Sequence, residues 1–224
     1  PYRAFQHLEK RYFETGNLGF PTFEAFGGKL GMCLCNDRRW PETYRCLALG
    51  GAELILIGYN TPLHYAPDPT QNALAGFHNH LVMQSGAYQN GMWVVGVAKA
   101  GNEEGCDLLG ESSIIAPSGE IVAQCSTVED ELVSAVVDLD MCANYKETLF
   151  DFDRYRRPEV YKSITSQVGV EIPEGIEVRK QFRRFVFCFI MLFLRIFEEG
   201  KTLISERPVV GVGGVGGWAT HGGP

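Results

Sequence analysis

The stretch GMCLCNDRRWPE, residues 31–42, decides the fold because a strand, a turn and a helix follow one another within it. The apolar run at 29–35 fits a short buried strand that ends at Cys35. A helix then begins near Pro41, a residue favoured in the first helical turn, and Glu42 suits the positive end of the helix dipole. The stretch therefore predicts a cysteine held above the end of a sheet, beside free backbone N–H groups.

Two roles are open to Cys35 on this pattern. A thiol where a strand gives way to a helix resembles a nucleophile elbow, and a helix N-terminus favours the thiolate form of a cysteine. A free cysteine is more commonly a small buried side chain, and the local pattern alone favours that alternative. Cys33 lies two residues earlier on the same face of the strand and is predicted to be structural. No metal site is predicted there, because a C-x-C pair would need a second pair of ligands.

Strands and helices alternate along the chain on either side of these elements. The predicted strands are 29–35, 53–58, 93–101 and 132–140, the predicted helices are 41–49 and 71–90, and a hairpin is predicted at 112–125. The polar residues 59–62 follow the strand at 53–58. This order predicts an α/β fold in which helices cover the sheets.

Composition describes an ordinary globular protein of 224 residues, with 45% hydrophobic and 21% charged residues. The net charge of −7 argues against nucleic-acid binding, which needs a basic surface. The seven cysteines are odd in number and form no CxxC pair, which indicates reduced thiols and predicts a cytoplasmic location. Phosphate-binding loops of the GxGxxG and GxxxxGKS types are absent, so no nucleotide cofactor is predicted.

The composition changes near residue 170, which divides the chain into a body at 1–168 and a tail at 169–224. The tail contains an almost wholly apolar run at 185–197 and ends in a glycine-rich segment. A membrane-spanning helix needs about 20 apolar residues, and this run is shorter and interrupted by Arg195. The sequence thus argues against a membrane span.

Further polar residues are candidates for the site. Arg38 and Arg39 suit the bidentate capture of a carboxylate, although a solvated surface pair is an equal alternative. His7 and Glu9 would share one face of an extended segment and could relay protons, but a surface run of charges explains them better.

His78 and His80 lie two residues apart in a predicted helix and so point to different sides. That spacing excludes a metal site built on both histidines. His78 is the one that could face the cleft, although a position away from it is favoured.

The motif CNDRRWPE, together with GYNTP at 58–62 and YQNGMW at 88–93, resembles the nitrilase superfamily of carbon-nitrogen hydrolases. With FQHLEKRYFETGNLGFP at 5–21, the resemblance narrows to the N-carbamoyl-D-amino-acid hydrolases and extends to about residue 168. It implies an α-β-β-α sandwich, truncated here at its N-terminus, that forms homo-oligomers. It also implies a Glu–Lys–Cys catalytic set that uses water and needs no metal or cofactor.

The same resemblance assigns roles to individual residues. Cys35 matches the nucleophile, and Glu9 matches a second glutamate that many members keep beside the catalytic set. The positions that match substrate-holding residues are His7, Arg38, Arg39, Asn60 and Thr61. The backbone N–H of Asn36 would help to bind the oxyanion.

The implied reaction is a two-step acyl transfer. The thiolate attacks the ureido carbonyl of an N-carbamoyl-D-amino acid, ammonia leaves, and water cleaves the carbamoyl thioester to give a D-amino acid and carbon dioxide. The family's general-base glutamate and its lysine match no residue from Pro1 onward, so the 224-residue chain is expected to be inactive or nearly so. The alternatives are another amidase of the superfamily, acting for example on N-carbamoylputrescine, and a non-catalytic fragment.

Overall fold

The computed structural model describes residues 12–65 and 68–171, and the chain divides into two compact units, residues 1–157 and 158–224. Strands and helices alternate in the first unit. Its strands are β1 (Thr22–Ala25), β2 (Gly28–Leu34), β3 (Leu54–Tyr59), β4 (Trp93–Ala98), β5 (Ala100–Glu103), β6 (Cys106–Leu109), β7 (Ser113–Ile115) and β8 (Ile121–Gln124). Its helices are α1 (Pro41–Leu49), α2 (Ala75–Asn90), α3 (Met141–Lys146) and α4 (Phe152–Tyr155). The described part of the second unit contains the short helix α5 (Lys162–Ser166).

Six of the strands form one sheet in the order β1-β2-β3-β4-β7-β8, and β5 pairs with β6 in a separate ribbon. Strands β2, β3 and β4 are parallel, and α1 and α2 connect them in sequence. The carboxyl ends of the three strands therefore meet at one edge of the sheet. In sheets of this kind that edge is where ligands usually bind.

The core lies between the sheet and the helices α1 and α2. Tyr44 and Leu47 of α1 and Met83 of α2 are buried against Ile55 and Ile57 of β3. The fold class predicted from sequence, α/β with a helix-covered sheet, is confirmed.

Three apolar side chains on the opposite face of the sheet are exposed. Met32, Leu34 and Val97 are 59%, 69% and 59% exposed. They alternate along β2 and β4 with buried residues such as Cys33, so they point away from α1 and α2. In the sandwich that the sequence predicts, this is the face that would meet a second sheet.

Gly86 of α2 sets how closely the two core helices approach. A Cβ atom at this position would lie 2.5 Å from the Tyr44 ring, which is fully buried. Replacing Gly86 with Ala should lower the free energy of unfolding by about 1–3 kcal/mol, because overpacking outweighs alanine's helix preference of about 1 kcal/mol. Urea denaturation measures the change, with Ser85→Ala as the control on the same helix. An unchanged or more stable Gly86→Ala protein would contradict the packing.

The structure confirms most of the predicted elements and moves some of their ends. The helix at Pro41 begins and ends as predicted, and Gly50 follows its last residue. The hairpin forms through residues 117–119. The predicted helix at 71–90 is α-helical from Ala75, and a 3₁₀ segment precedes it. The predicted strand at 93–101 divides into β4 and β5.

The predicted strand at 132–140 is wrong. These residues pair with no other strand among the described residues. Their burial does alternate, and Val137 and Leu139 pack against the cluster of Trp93, Ala116 and Cys142. The alternation of apolar residues therefore reflects the packing of their side chains against this cluster. The backbone of the segment does not pair with a described strand.

The tail lies outside the described residues from position 172 onward, including the apolar run at 185–197. The boundary at 168 therefore stays a prediction. Across residues 12–65 and 68–171, no helix combines the length and the apolar character that crossing a membrane requires.

Candidate active site

Cys35 lies at the carboxyl end of β2 and begins a 3₁₀ segment, Cys35–Arg39. Its φ angle is +39°, in the left-handed region that costs a non-glycine residue about 1–3 kcal/mol. Asp37 closes the turn, since its carboxylate accepts the Leu34 N–H at 3.0 Å and its carbonyl accepts the Trp40 N–H at 3.2 Å. The thiol is half-buried, so it combines a strained backbone with access from outside. Backbone strain of this kind clusters at functional sites.

Arg38 holds this turn from inside the protein. It is 1% exposed, and its Nη1 donates to the Cys35 carbonyl at 2.5 Å and lies 4.0 Å from the Cys35 Sγ. Its Nη2 donates to the Thr61 Oγ1 at 2.8 Å, which ties the loop after β3 to the same guanidinium. Arg38 therefore connects the carboxyl ends of β2 and β3.

Asn79 of α2 completes the surroundings of Arg38. Its Oδ1 accepts from Arg38 Nε at 3.1 Å and from Nη2 at 3.0 Å, and the residue is 3% exposed. Its Nδ2 donates to the Tyr59 hydroxyl at 3.1 Å, and that hydroxyl donates to the Glu111 carbonyl at 3.0 Å. The guanidinium lies 4.2 Å from the centre of the Tyr59 ring, a cation–π contact. Helix α2 is thereby joined to the turn that begins at Cys35.

Burial dominates the electrostatics of this network. It lowers the pKa of the Arg38 guanidinium, and the neighbouring Cys35 acts in the opposite direction. Burial also raises the pKa of the Cys33 thiol to about 12, with Asp37 adding to the shift. Cys33 therefore stays protonated at neutral pH, as befits a packing residue beside Cys35.

The two polar residues after β3, Asn60 and Thr61, differ in their hydrogen bonding. Thr61 is buried and bound to Arg38. Asn60 is half-buried, and its Oδ1 has no hydrogen-bond partner among the described residues. A buried acceptor without a partner is costly, which marks Asn60 as a residue whose side chain is not fully satisfied by the described protein groups.

The structure thus brings four of the predicted site residues together, namely Cys35, Arg38, Asn60 and Thr61, at the carboxyl ends of β2 and β3. Asn36 and Arg39 follow Cys35 in the same segment with exposed side chains. The other two predicted residues, His7 and Glu9, lie outside the described residues.

The side chain of Arg38 is buried, whereas the sequence predicted an accessible one. The sequence suggested that it holds a substrate carboxylate or lies on the surface. Its side chain is buried, and each of its three nitrogens has a partner in the protein. The structure does not support direct carboxylate capture by Arg38.

Asn79 and Tyr59 belong to this network, but the sequence analysis did not predict either of them as a site residue. Asn79 lies between His78 and His80, the two histidines considered as site residues, and it is the one of the three that binds Arg38 in the Cys35 turn. The ring of His78 packs against Phe77, and His80 Nε2 lies 2.9 Å from Glu111 Oε2. A polar residue on the buried face of a predicted helix is the signal that could have identified Asn79.

The carbon-nitrogen hydrolase family profile matches residues 1–147. The chain belongs to the carbon-nitrogen hydrolase family. A probable nitrilase of Schizosaccharomyces pombe is 30% identical over 158 residues, which cover 70% of this chain and 54% of the relative. An N-carbamoylputrescine amidase of Arabidopsis thaliana is 32% identical, covering 73% of this chain and 56% of the relative.

A crystal structure of a carbon-nitrogen hydrolase from Helicobacter pylori matches this chain with a TM-score of 0.65 at 25% identity, covering 71% of this chain and 57% of that one. The chain spans about half the length of the curated relatives it matches. In this carbon-nitrogen hydrolase, the matched residues include the Cys35 turn, Thr61 and Asn79. The relatives support the nitrilase superfamily; the narrower likeness to N-carbamoyl-D-amino-acid hydrolases is not shown by them.

Proposed function

We propose that this chain carries the nucleophile of an amidohydrolase that cleaves the C–N bond of N-carbamoyl-D-amino acids, with Cys35 as the attacking group. The observation that carries the proposal is the strained, half-buried Cys35 thiol at the carboxyl ends of parallel strands. A cysteine in such a turn is exposed to a substrate on one side and fixed by the protein on the other.

The chemistry follows from the thiol. The Cys35 Sγ, having lost its proton to a base, attacks the ureido carbonyl carbon, and the tetrahedral intermediate expels ammonia after a proton reaches its nitrogen. Water then cleaves the carbamoyl thioester, which regenerates the thiol and releases a carbamate that decays to carbon dioxide and the amino acid. The backbone N–H of Asn36, in the first turn of the 3₁₀ segment, is suited to the oxyanion because such groups have no helical acceptor.

In the described residues no carboxylate or lysine hydrogen bonds to the Cys35 Sγ, so the base and the family lysine are not assigned to any of them. Glu9, the match to the second family glutamate, stays part of the proposed catalytic set on the resemblance alone. His7 stays a proposed substrate contact on the same ground.

The proposed substrate is a carbamoyl compound that carries a carboxylate. Arg39 has an exposed guanidinium four residues after Cys35, and guanidinium groups bind carboxylates in a bidentate manner. The unpartnered Asn60 Oδ1 would accept an N–H from the ureido group if substrate binding opens access to it, and the Thr61 hydroxyl, which accepts from Arg38, can still donate.

The second candidate is an amidase acting on N-carbamoylputrescine, as the Arabidopsis relative is named. The 32% identity of that relative favours it. The positive charge of Arg39 disfavours it, because N-carbamoylputrescine carries a cationic amine where a carbamoyl amino acid carries a carboxylate.

Ammonia release distinguishes the two candidates. N-carbamoyl-D-alanine should be hydrolysed at least about tenfold faster, in kcat/KM, than N-carbamoylputrescine, because placing the amine near Arg39 costs more than about 1.4 kcal/mol. The assay is run on the 224-residue chain and on a form preceded by the N-terminal segment of a relative, and N-carbamoyl-L-alanine is the stereochemical control. Faster hydrolysis of N-carbamoylputrescine would favour the second candidate, and hydrolysis of none would contradict both.

Three further properties are proposals, of which the first two rest on the family resemblance and the third on the cysteine content. They are a hydrolase domain at 1–168, assembly into a homo-oligomer and a cytoplasmic location. The inactivity expected of the 224-residue chain by itself is a fourth, and the two-form assay above measures it directly.

A further inference from the structure

A buried positive charge in this site has no negative partner among the described residues. Arg38 is 1% exposed, and no carboxylate of residues 12–65 or 68–171 lies within 4.0 Å of its nitrogens. Its hydrogen-bond partners are the neutral oxygens of Asn79, Thr61 and the Cys35 carbonyl. Arginine keeps its proton in proteins, and a buried charge left without a counter-charge is costly.

A group that can become negative lies close to the guanidinium in the described part of the chain, namely the thiol of Cys35, whose Sγ is 4.0 Å from Arg38 Nη1. The other ionisable groups near the guanidinium are Arg39, Tyr59, Cys33 and Tyr44. Arg39 carries the same sign of charge, and burial raises the pKa of Tyr59, Cys33 and Tyr44, so these three stay neutral. Among residues 12–65 and 68–171, the Cys35 thiol is therefore the one partner left for the charge.

We propose that Arg38 is the counter-charge of the Cys35 thiolate, and that Asn79 is a positioning residue that holds the guanidinium without neutralising it. The inference rests on the proposed function in one respect, namely that Cys35 is the nucleophile. It assigns Arg38 to the reacting sulfur and removes it from the substrate's carboxylate.

The inference depends on residue 79 being an asparagine and not an aspartate. A carboxylate here would also accept two hydrogen bonds from the guanidinium, and it would form the bidentate ion pair that is usual for arginine. The amide of Asn79 supplies the same geometry through its Oδ1 while leaving the positive charge uncompensated. Asn79→Asp therefore keeps the size and shape of the side chain and changes the charge available to the thiolate.

Alkylation of the thiol by iodoacetamide tests the proposal without requiring turnover. The rate at Cys35 is measured near pH 7 in the 224-residue chain by mass spectrometry of its peptide, and the exposed Cys46 of α1 serves as an internal reference. Asn79→Asp should slow alkylation of Cys35 relative to Cys46 by about tenfold or more, because the thiolate is the reactive form and loses its partner charge. Arg38→Met should have a similar effect, and Arg38→Lys, which keeps a positive charge, should react faster than Arg38→Met.

Asn90→Asp is the matched control, since Asn90 is also buried on α2 but donates to the Gly86 carbonyl away from Arg38. Its Cys35 should react at the parent rate. Parent-like alkylation in Asn79→Asp would overturn the proposal, as would an equal loss in Asn90→Asp. If Asn79→Asp does not fold, the arginine variants decide, and equal rates in Arg38→Lys and Arg38→Met would overturn it. Failure of the ammonia assay would instead count against the proposed function, because alkylation involves no substrate.

Discussion

Replacing Cys35 with Ala should reduce hydrolysis of an N-carbamoyl-D-amino acid by at least about 10⁴-fold, because no covalent intermediate can then form. The structure supports this magnitude, since the thiol lies on a strained turn that Arg38 fixes from behind. Ammonia release in the form with the N-terminal family segment measures the loss. Circular dichroism and urea denaturation should show a folded protein, because the removed sulfur is only half-buried.

The controls are the other cysteines close to Cys35 in sequence. Cys46→Ala should leave hydrolysis unchanged, because that side chain is exposed on α1. Cys33 is buried with a raised thiol pKa, so its replacement should affect stability more than chemistry. Full hydrolysis in Cys35→Ala, with Cys33 or Cys46 required in its place, would refute the assignment of the nucleophile.

Local signals explain why much of the fold can be predicted from the sequence. Pro41 in the first helical turn, Gly50 after the last turn and the apolar run of β2 each act within a few residues, and the structure confirms all three elements. The segment at 132–140 shows where such signals fail. Alternating apolar residues indicate which side chains are buried, but whether the backbone pairs depends on a neighbouring strand that the alternation does not specify.

The site is less predictable, because its important contacts are distant in sequence. Cys35 could be found from the strand-to-helix junction and the family motif. The bond from Arg38 to Asn79 joins residues 41 positions apart. Arginine is seldom fully buried, so a sequence pattern favours an exposed Arg38, and a single asparagine on a helix gives no periodic signal. Only the packing of α2 against the turn turns these two residues into one network.

Arg39 is the residue on which the choice of substrate depends in the proposed function. Replacing it with Ala should lower kcat/KM for N-carbamoyl-D-alanine by about tenfold to a hundredfold, which corresponds to the loss of one charged hydrogen-bonding interaction of about 1.5–3 kcal/mol. Arg39 is exposed, in contrast to the buried Arg38, so the stability of the protein should change little. The measurement is ammonia release over a range of substrate concentrations.

A neutral substrate provides the decisive comparison. N-carbamoyl-D-alaninamide has the same ureido group and side chain but no carboxylate, so Arg39→Ala should change its hydrolysis by less than about threefold. Equal losses on the acid and the amide would show that Arg39 acts on the reaction centre, and carboxylate capture would then be wrong. Arg38→Met gives the opposite pattern, because a charge placed 4.0 Å from the Cys35 Sγ acts on the nucleophile whatever the substrate carries. The two neighbouring arginines are thus separable by experiment: loss at Arg39 depends on the substrate's charge, and loss at Arg38 does not.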